Sequence, residues 1–165
     1  FHAINTMAEK YDIPVLYSCH PRSRKKLEQM ERDGKFKLDH RVIAHEPLGF
    51  HDYNCLQIHA FAVISDSGTL PEESSYFTSI DRSFPAICIR TSTERPEALE
   101  KGCFVLSGIE AAGLLQAIDV AVGMNKDGGL GIPVPDYTDT HVSAKVVKII
   151  QSYTRIVDSF VWRKE

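Results

Sequence analysis

The sequence predicts an α/β fold, a parallel sheet with helices on both faces in a Rossmann-like or flavodoxin-like arrangement. Three observations carry that prediction. Short apolar runs of strand type recur along the chain, segments of helical period separate them, and loops of small residues stand where strands pass into helices. The composition agrees, since 43% hydrophobic and 25% charged residues are globular values that argue against disorder or a fibrous repeat. A length of 165 residues supports one domain with a core and excludes two large ones.

The elements follow in order. A helical pattern opens the chain, with Phe1, Ile4 and Ala8 on one face, and runs to about Lys10. Residues 14–19 form a buried-type strand, and 21–32 a highly charged helix whose inward face is Leu27 and Met30. A second strand covers 41–44, a short helix 52–59, and a third strand 62–65. A helix starts near Thr69, a strand covers 85–89, a short helix starts at Pro96, and a strand covers 103–106. Residues 109–122 are an amphipathic helix, 125–135 a Gly- and Pro-rich loop, and 140–160 a closing helix with Val146, Val147, Ile150 and Tyr153 on its apolar side.

Several function classes are disfavoured. With 19 basic and 22 acidic residues the net charge is −3, which argues against a general nucleic-acid or anionic-membrane binder. Apolar runs such as 60–64 reach only five residues, so no membrane span is expected. The four cysteines form no C-x-x-C pair. Cys19, Cys88 and Cys103 lie in or beside apolar runs, where a free thiol behaves as a small core residue. That usage points to a reducing cytoplasm, and no signal peptide is read. A start without Met, directly in a helical pattern, suggests a piece of something longer. His45, His51 and His59 do not fall at metal-ligand spacing, so no metal is expected. The nucleophile elbow, the P-loop and the G-x-G-x-x-G fingerprint are all missing from the sequence.

In such sheets ligands bind beyond the carboxyl ends of the strands. The richest junction there is ISDSGTLPEE at 64–73. Free N–H groups at Ser67, Gly68 and Thr69, with a helix dipole behind them, suit a phosphate. Glu73, one turn in, suits a vicinal diol. A capping box formed by Thr69 and Glu72 explains those two residues without a ligand, but leaves Ser67, Gly68 and Glu73 unemployed. At the second junction, RTSTERPE at 90–97, Arg95 is suited either to a phosphate or to a surface ion pair with Glu94 or Glu97. At the third, SCHPR at 18–22, His20 either reaches a ligand or is a hydrogen-bonded structural residue. The following run of Arg22, Arg24, Lys25 and Lys26 reads as a solvated helix face.

Four segments in this order, PVLYSCHPRSRKKL at 14–27, EPLGFHDY at 46–53, DSGTLPEE at 66–73 and TERPEA at 93–98, resemble the C-terminal half of the non-hydrolysing UDP-N-acetylglucosamine 2-epimerases. The resemblance covers about residues 1–122 and implies the C-terminal domain of a GT-B architecture. It implies a UDP-binding unit over 1–135, with a loop and closing helix over 136–165. Ser67, Gly68 and Thr69 resemble the diphosphate-binding turn, Glu73 the ribose-binding carboxylate and Arg95 an arginine near the phosphates. Tyr53 stands where the family packs an aromatic by the uracil, and His20 resembles a histidine that contacts a second, allosteric UDP-sugar in some members. Thr69 in place of the family's glycine implies a stiffer turn, and 75–83 is about five residues longer than usual.

The resemblance implies a UDP-sugar substrate, no cofactor, a homodimer, and partnership with an N-terminal domain of the same enzyme that holds the catalytic carboxylates. No catalytic residue is therefore assigned within the chain. The activity implied is inversion of C2 by elimination and re-addition of UDP, in the branch that makes cell-surface polysaccharide precursors. A GT-B glycosyltransferase domain and a non-catalytic nucleotide-sugar-binding domain are the alternatives. The resemblance also places one strand before Phe1, between 14–19 and 62–65. Without it the ladder groups of those two strands would be unpaired, at about 1–3 kcal/mol each. The expectation is a strand from another chain, direct pairing of the two, or further polypeptide between them.

Overall fold

Proline and turn chemistry set the helix boundaries in the computed structural model, which describes residues 1–164. Helix α1 (His2–Tyr11) stops at Asp12, which adopts a left-handed conformation (φ 52°) and returns its N–H to Ala8 O. Strand β1 (Val15–Ser18) leads into α2 (Pro21–Arg32), where Pro21 takes a position that needs no N–H donor. Then follow β2 (Val42–His45), α3 (Phe50–Ile58), β3 (Val63–Ser65), α4 (Leu70–Ser79), β4 (Ala86–Cys88), α5 (Pro96–Glu100) and β5 (Val105–Leu106). The chain ends in α6 (Ala111–Lys126), α7 (Pro135–Thr138) and α8 (Val142–Phe160).

The predicted α/β alternation is present, with three differences. Helix α6 continues to Lys126, because Asn125 is held by its side-chain N–H to Ala121 O while its Oδ1 receives Phe84 N and Ser83 Oγ. The loop expected over 125–135 therefore starts later and leads into the four-residue α7, whose Tyr137 packs on the core. The sheet, expected as one, is two: β1–β2 and β3–β4–β5, all pairs parallel. Each crossover pairs a strand with its successor except the one through α3, which joins β2 to β3 across the two sheets, and β1 and β3 are not paired either. Direct pairing of 14–19 with 62–65 is thus not the arrangement found.

The core lies on both faces of the three-stranded sheet. Ala86 and Cys88 point toward Leu70, Phe77, Phe84, Ala98, Cys103 and Phe104. Ile87, of opposite side-chain parity, points toward Met7, Leu114, Ala117 and Ile118 of α1 and α6. Cys19, Cys88 and Cys103 are buried and unpaired, as their apolar settings predicted, while Cys55 is exposed. Helix α6 approaches the end of β5 so closely that a Cβ on Gly113 would lie 2.8 Å from Ser107 O. Only glycine allows that packing. Buried hydroxyls tie the 130–134 segment down: Thr78 Oγ1 donates to Leu130 O at 2.9 Å and Ser75 Oγ receives Val134 N at 2.8 Å. Helix α8 is different, because none of its residues is buried. No helix among the described residues is long and apolar enough to cross a membrane.

Candidate functional site

Beyond the carboxyl end of β3 the chain turns through small residues into α4. Ser65 Oγ receives Ser67 N at 3.0 Å, and Ser67 Oγ receives Thr69 N at 3.3 Å. The capping box does not form. Thr69 makes no side-chain cap, and its hydroxyl instead donates to Glu73 Oε1 at 3.1 Å. Ser67 Oγ lies 2.9 Å from Thr69 Oγ1, so Ser67, Thr69 and Glu73 form one hydrogen-bonded row. Thr69 sits at φ −84°, ψ −19°, a helical conformation that a β-branched residue takes without strain, so the turn accommodates threonine.

Of the three N–H groups expected to be free, those of Ser67 and Thr69 are taken by hydroxyls and only that of Gly68 is not. Gly68 and Leu70 N–H find no acceptor among the described residues. They stand at the amino end of a ten-residue helix, where the dipole favours an anion. A Cβ on Gly68 would meet only Glu94 Oε2, at an ordinary 3.7 Å. The fold itself does not demand glycine there; a bare backbone leaves room for close approach.

Glu73 is held on its other side by a residue that the sequence did not reveal. Gln57 Nε2 donates to Glu73 Oε2 at 2.9 Å from α3. Tyr53, one turn earlier on the same helix, is half-buried beside them. Burial pushes the Tyr53 phenol up, the Glu73 carboxylate adds to that, and the Gln57 side chain partly offsets it. The spacing of 53 and 57 is the signal that would have placed both on one helix face.

Arg95 does not pair with the side chain of Glu94 or Glu97. Its Nε and Nη2 both reach Glu72 Oε1, at 2.8 and 2.7 Å, and that hydrogen bond holds the guanidinium's pKa up. Glu72 neighbours Glu73 on α4, so Arg95 anchors the helix turn that carries the row. Thr93 Oγ1 receives Arg95 N at 3.0 Å, and Arg90 meets Glu94 at 2.8 Å. Glu97, in turn, accepts the Tyr137 hydroxyl, which brings α7 to the same corner. Burial and that contact push the Tyr137 phenol up to about 12.

A depression of about 490 Å³ lies beyond the ends of β3 and β4, lined by Asp66, Ile89, Arg90, Thr91, Ser92 and Ile109. A larger one, about 560 Å³, lies around Phe36 in the segment between α2 and β2, and none of these groups lines it. His20 joins neither network. Its Nδ1 accepts Arg22 N at 3.3 Å and caps α2, leaving the exposed ring's other nitrogen outward. The structure thus brings Tyr53, Ser67, Gly68, Thr69 and Glu73 together, sets Arg95 behind them through Glu72, and leaves His20 apart.

A family model described as UDP-N-acetylglucosamine 2-epimerase matches residues 1–151. The structure of UDP-N-acetylglucosamine 2-epimerase from Rickettsia bellii is similar with a TM-score of 0.81 and 31% identity, over 99% of this chain and 43% of that one. The Methanocaldococcus jannaschii UDP-GlcNAc 2-epimerase, solved in complex with UDP-GlcNAc and UDP, has a TM-score of 0.75 and 27% identity, over 92% and 39%. A curated UDP-N-acetylglucosamine 2-epimerase from Methanococcus maripaludis is 29% identical over 124 residues, 75% of this chain and 32% of the relative. The chain spans about a third of the length of the curated relatives it matches.

Proposed function

The chain belongs to the UDP-N-acetylglucosamine 2-epimerase family, and from that premise we propose that it forms the UDP-binding portion of an enzyme that inverts C2 of a UDP-N-acetylhexosamine. The observation that carries this reading is the row Ser67–Thr69–Glu73 beside the free N–H groups of Gly68 and Leu70. Those groups receive the diphosphate, with the helix dipole and the Ser67 hydroxyl completing its shell. Glu73 accepts the ribose hydroxyls and Tyr53 packs against the uracil. Arg95 supports the phosphate end from its place on Glu72. His20, capping α2 at the end of β1, is assigned to contact with a second UDP-sugar. In this reading residues 1–135 are the nucleotide unit, and 136–165 a loop and closing helix.

The reaction removes the C2 proton while the C1–O bond to UDP breaks, giving a glycal and UDP. Re-addition of UDP to C1 with proton return to the opposite face of C2 gives the epimer. The residues of this chain hold the departing UDP through both halves, so that it stays in place for re-addition. The acid and base that move the proton are assigned to polypeptide outside this chain. We place the enzyme in the cytoplasm as a homodimer, supplying precursors of cell-surface polysaccharide.

The test is incubation of the full-length polypeptide with UDP-N-acetylglucosamine in D2O, without an acceptor, followed by NMR. A C2 epimer carrying deuterium at C2 is the expected product. Unchanged substrate from a folded, UDP-binding protein would overturn the assignment.

A further inference from the structure

Buried polar atoms nearly always find a hydrogen-bond partner. Among the described residues one buried side-chain atom has none, Gln57 Oε1. Gln57 is 5% exposed and stands on a helix that buries no other residue. Its amide nitrogen donates to one acceptor, Glu73 Oε2, at 2.9 Å. A methionine or leucine would fill a similar volume and leave no orphaned acceptor, so packing alone does not call for an amide here.

We propose that Gln57 is a positioning residue of the nucleotide site, holding the Glu73 carboxylate in the orientation that meets a ribose diol. The orphaned Oε1 is what the fold gives up for that orientation. The proposal rests on the reading in which Glu73 accepts the diol. Glu73 is gripped at both ends, by Thr69 on Oε1 at 3.1 Å and by Gln57 on Oε2 at 2.9 Å. Each oxygen keeps one further lone-pair site, so two acceptors lie on a fixed plane for two adjacent hydroxyls. A carboxylate free to rotate would have to be ordered when the ligand arrives, and that ordering subtracts from affinity. The row Ser67–Thr69–Glu73–Gln57 also joins the phosphate turn of α4 to α3, which carries Tyr53. Gln57 therefore couples the base end of the site to its ribose end.

The experiment measures dissociation constants for UDP and for 2′-deoxy-UDP by calorimetry. It uses the full-length polypeptide as wild type, Gln57→Met, Gln57→Leu and Glu73→Ala, with thermal melts alongside. Gln57→Met is expected to weaken UDP about ten-fold, the loss of one hydrogen bond to a charged group. It should weaken 2′-deoxy-UDP much less, so that the preference for the ribonucleotide falls toward one while the melting temperature holds or rises. Equal weakening of both ligands would mark a merely structural role and overturn the proposal. Where one Gln57 variant melts low, the other is read by the same ratio, which does not depend on how much protein is folded. A preference lost in Glu73→Ala but kept in both Gln57 variants overturns the positioning role alone. A preference unchanged in Glu73→Ala overturns the diol reading and this proposal with it.

Discussion

The two sheets of this chain are both parallel, yet packing encloses them to different degrees. In the three-stranded sheet every residue of β4 is at most 2% exposed, with Ala86 and Cys88 facing one apolar cluster and Ile87 the other. In the two-stranded sheet the register partners Leu16 and Ile43 are 47% and 50% exposed. That half also buries Cys19, Leu27, Phe36 and Val42, and it adds polar contacts to that packing. Arg41 reaches Asp39 and Asp12 at 2.7 Å, and Asn5 of α1 bridges Lys37 O and Asp39 N. The Ser67–Thr69–Glu73 row grows from the end of β3, on the more enclosed half, where packing fixes the backbone that carries it. The same contrast separates two amphipathic helices, since α6 buries Leu114, Ala117, Ile118, Ala121 and Val122 while α8 buries none of its residues. An apolar stripe shows that a helix has an inward face; it does not show what meets that face.

The largest test of this difference is Ile87→Ala. Deleting a fully buried side chain between α1, α6 and the sheet should cost about 2–5 kcal/mol, read as a shift in urea midpoint with an unchanged slope. A loss below about 1 kcal/mol would mean that the three-stranded half is not the stable one. Next is Glu73→Ala, which should weaken UDP binding by about 1–3 kcal/mol through loss of the diol acceptor. Its urea midpoint should fall as well, a loss of about 1–3 kcal/mol, because the buried Gln57 amide loses its acceptor, so affinity is compared on folded protein. Calorimetry showing unchanged UDP affinity would remove Glu73 from the site.

A third, pH-dependent effect belongs to the two-stranded half. Hydrogen bonds from Arg41 hold the Asp39 carboxyl well below the usual carboxylate range. A folded-state pKa below the unfolded one stabilises the protein above the unfolded value of about 4, and that stabilisation fades as pH falls. Asp39→Asn should therefore cost stability near neutral pH, and its difference from wild type should shrink as melts are taken below about pH 4. A constant difference across that range would show that the Arg41 contact is not what Asp39 contributes.

How far the sequence carried this picture differs between the halves for the same physical reason. The alternation of elements was legible because period and helix-start chemistry are local, as with Pro21 for α2 and Pro96 for α5. Ser67, Gly68, Thr69 and Glu73 were legible as a group because they share one strand-to-helix junction. Three features needed the third dimension. Gln57 meets Glu73 across sixteen residues, Arg95 chooses Glu72 across twenty-three rather than the nearby Glu94 or Glu97, and the sheet divides at α3. Neither periodicity nor capping rules report such long-range partners. Thr69 shows the limit most clearly, for its capping-box spacing is complete and its hydroxyl serves Glu73 instead.

The smallest expected effect is the sharpest test of the two-stranded half. Fully burying a leucine side chain is worth about 1.5–3 kcal/mol, and Leu16 leaves nearly half of its surface in water. Its neighbour across the ladder, Ile43, is as open, so a shorter side chain leaves no closed cavity behind. Leu16→Ala in the 165-residue chain should thus cost less than about 1 kcal/mol, well under Ile87→Ala, in the same urea titration. A cost equal to that of Ile87→Ala would erase the distinction between the sheets. Repeating the pair of substitutions in the full-length polypeptide sharpens it further. If the Leu16 cost grows there while the Ile87 cost stays the same, the outward face of β1 and β2 is a surface that other polypeptide covers. If neither changes, that face belongs to solvent.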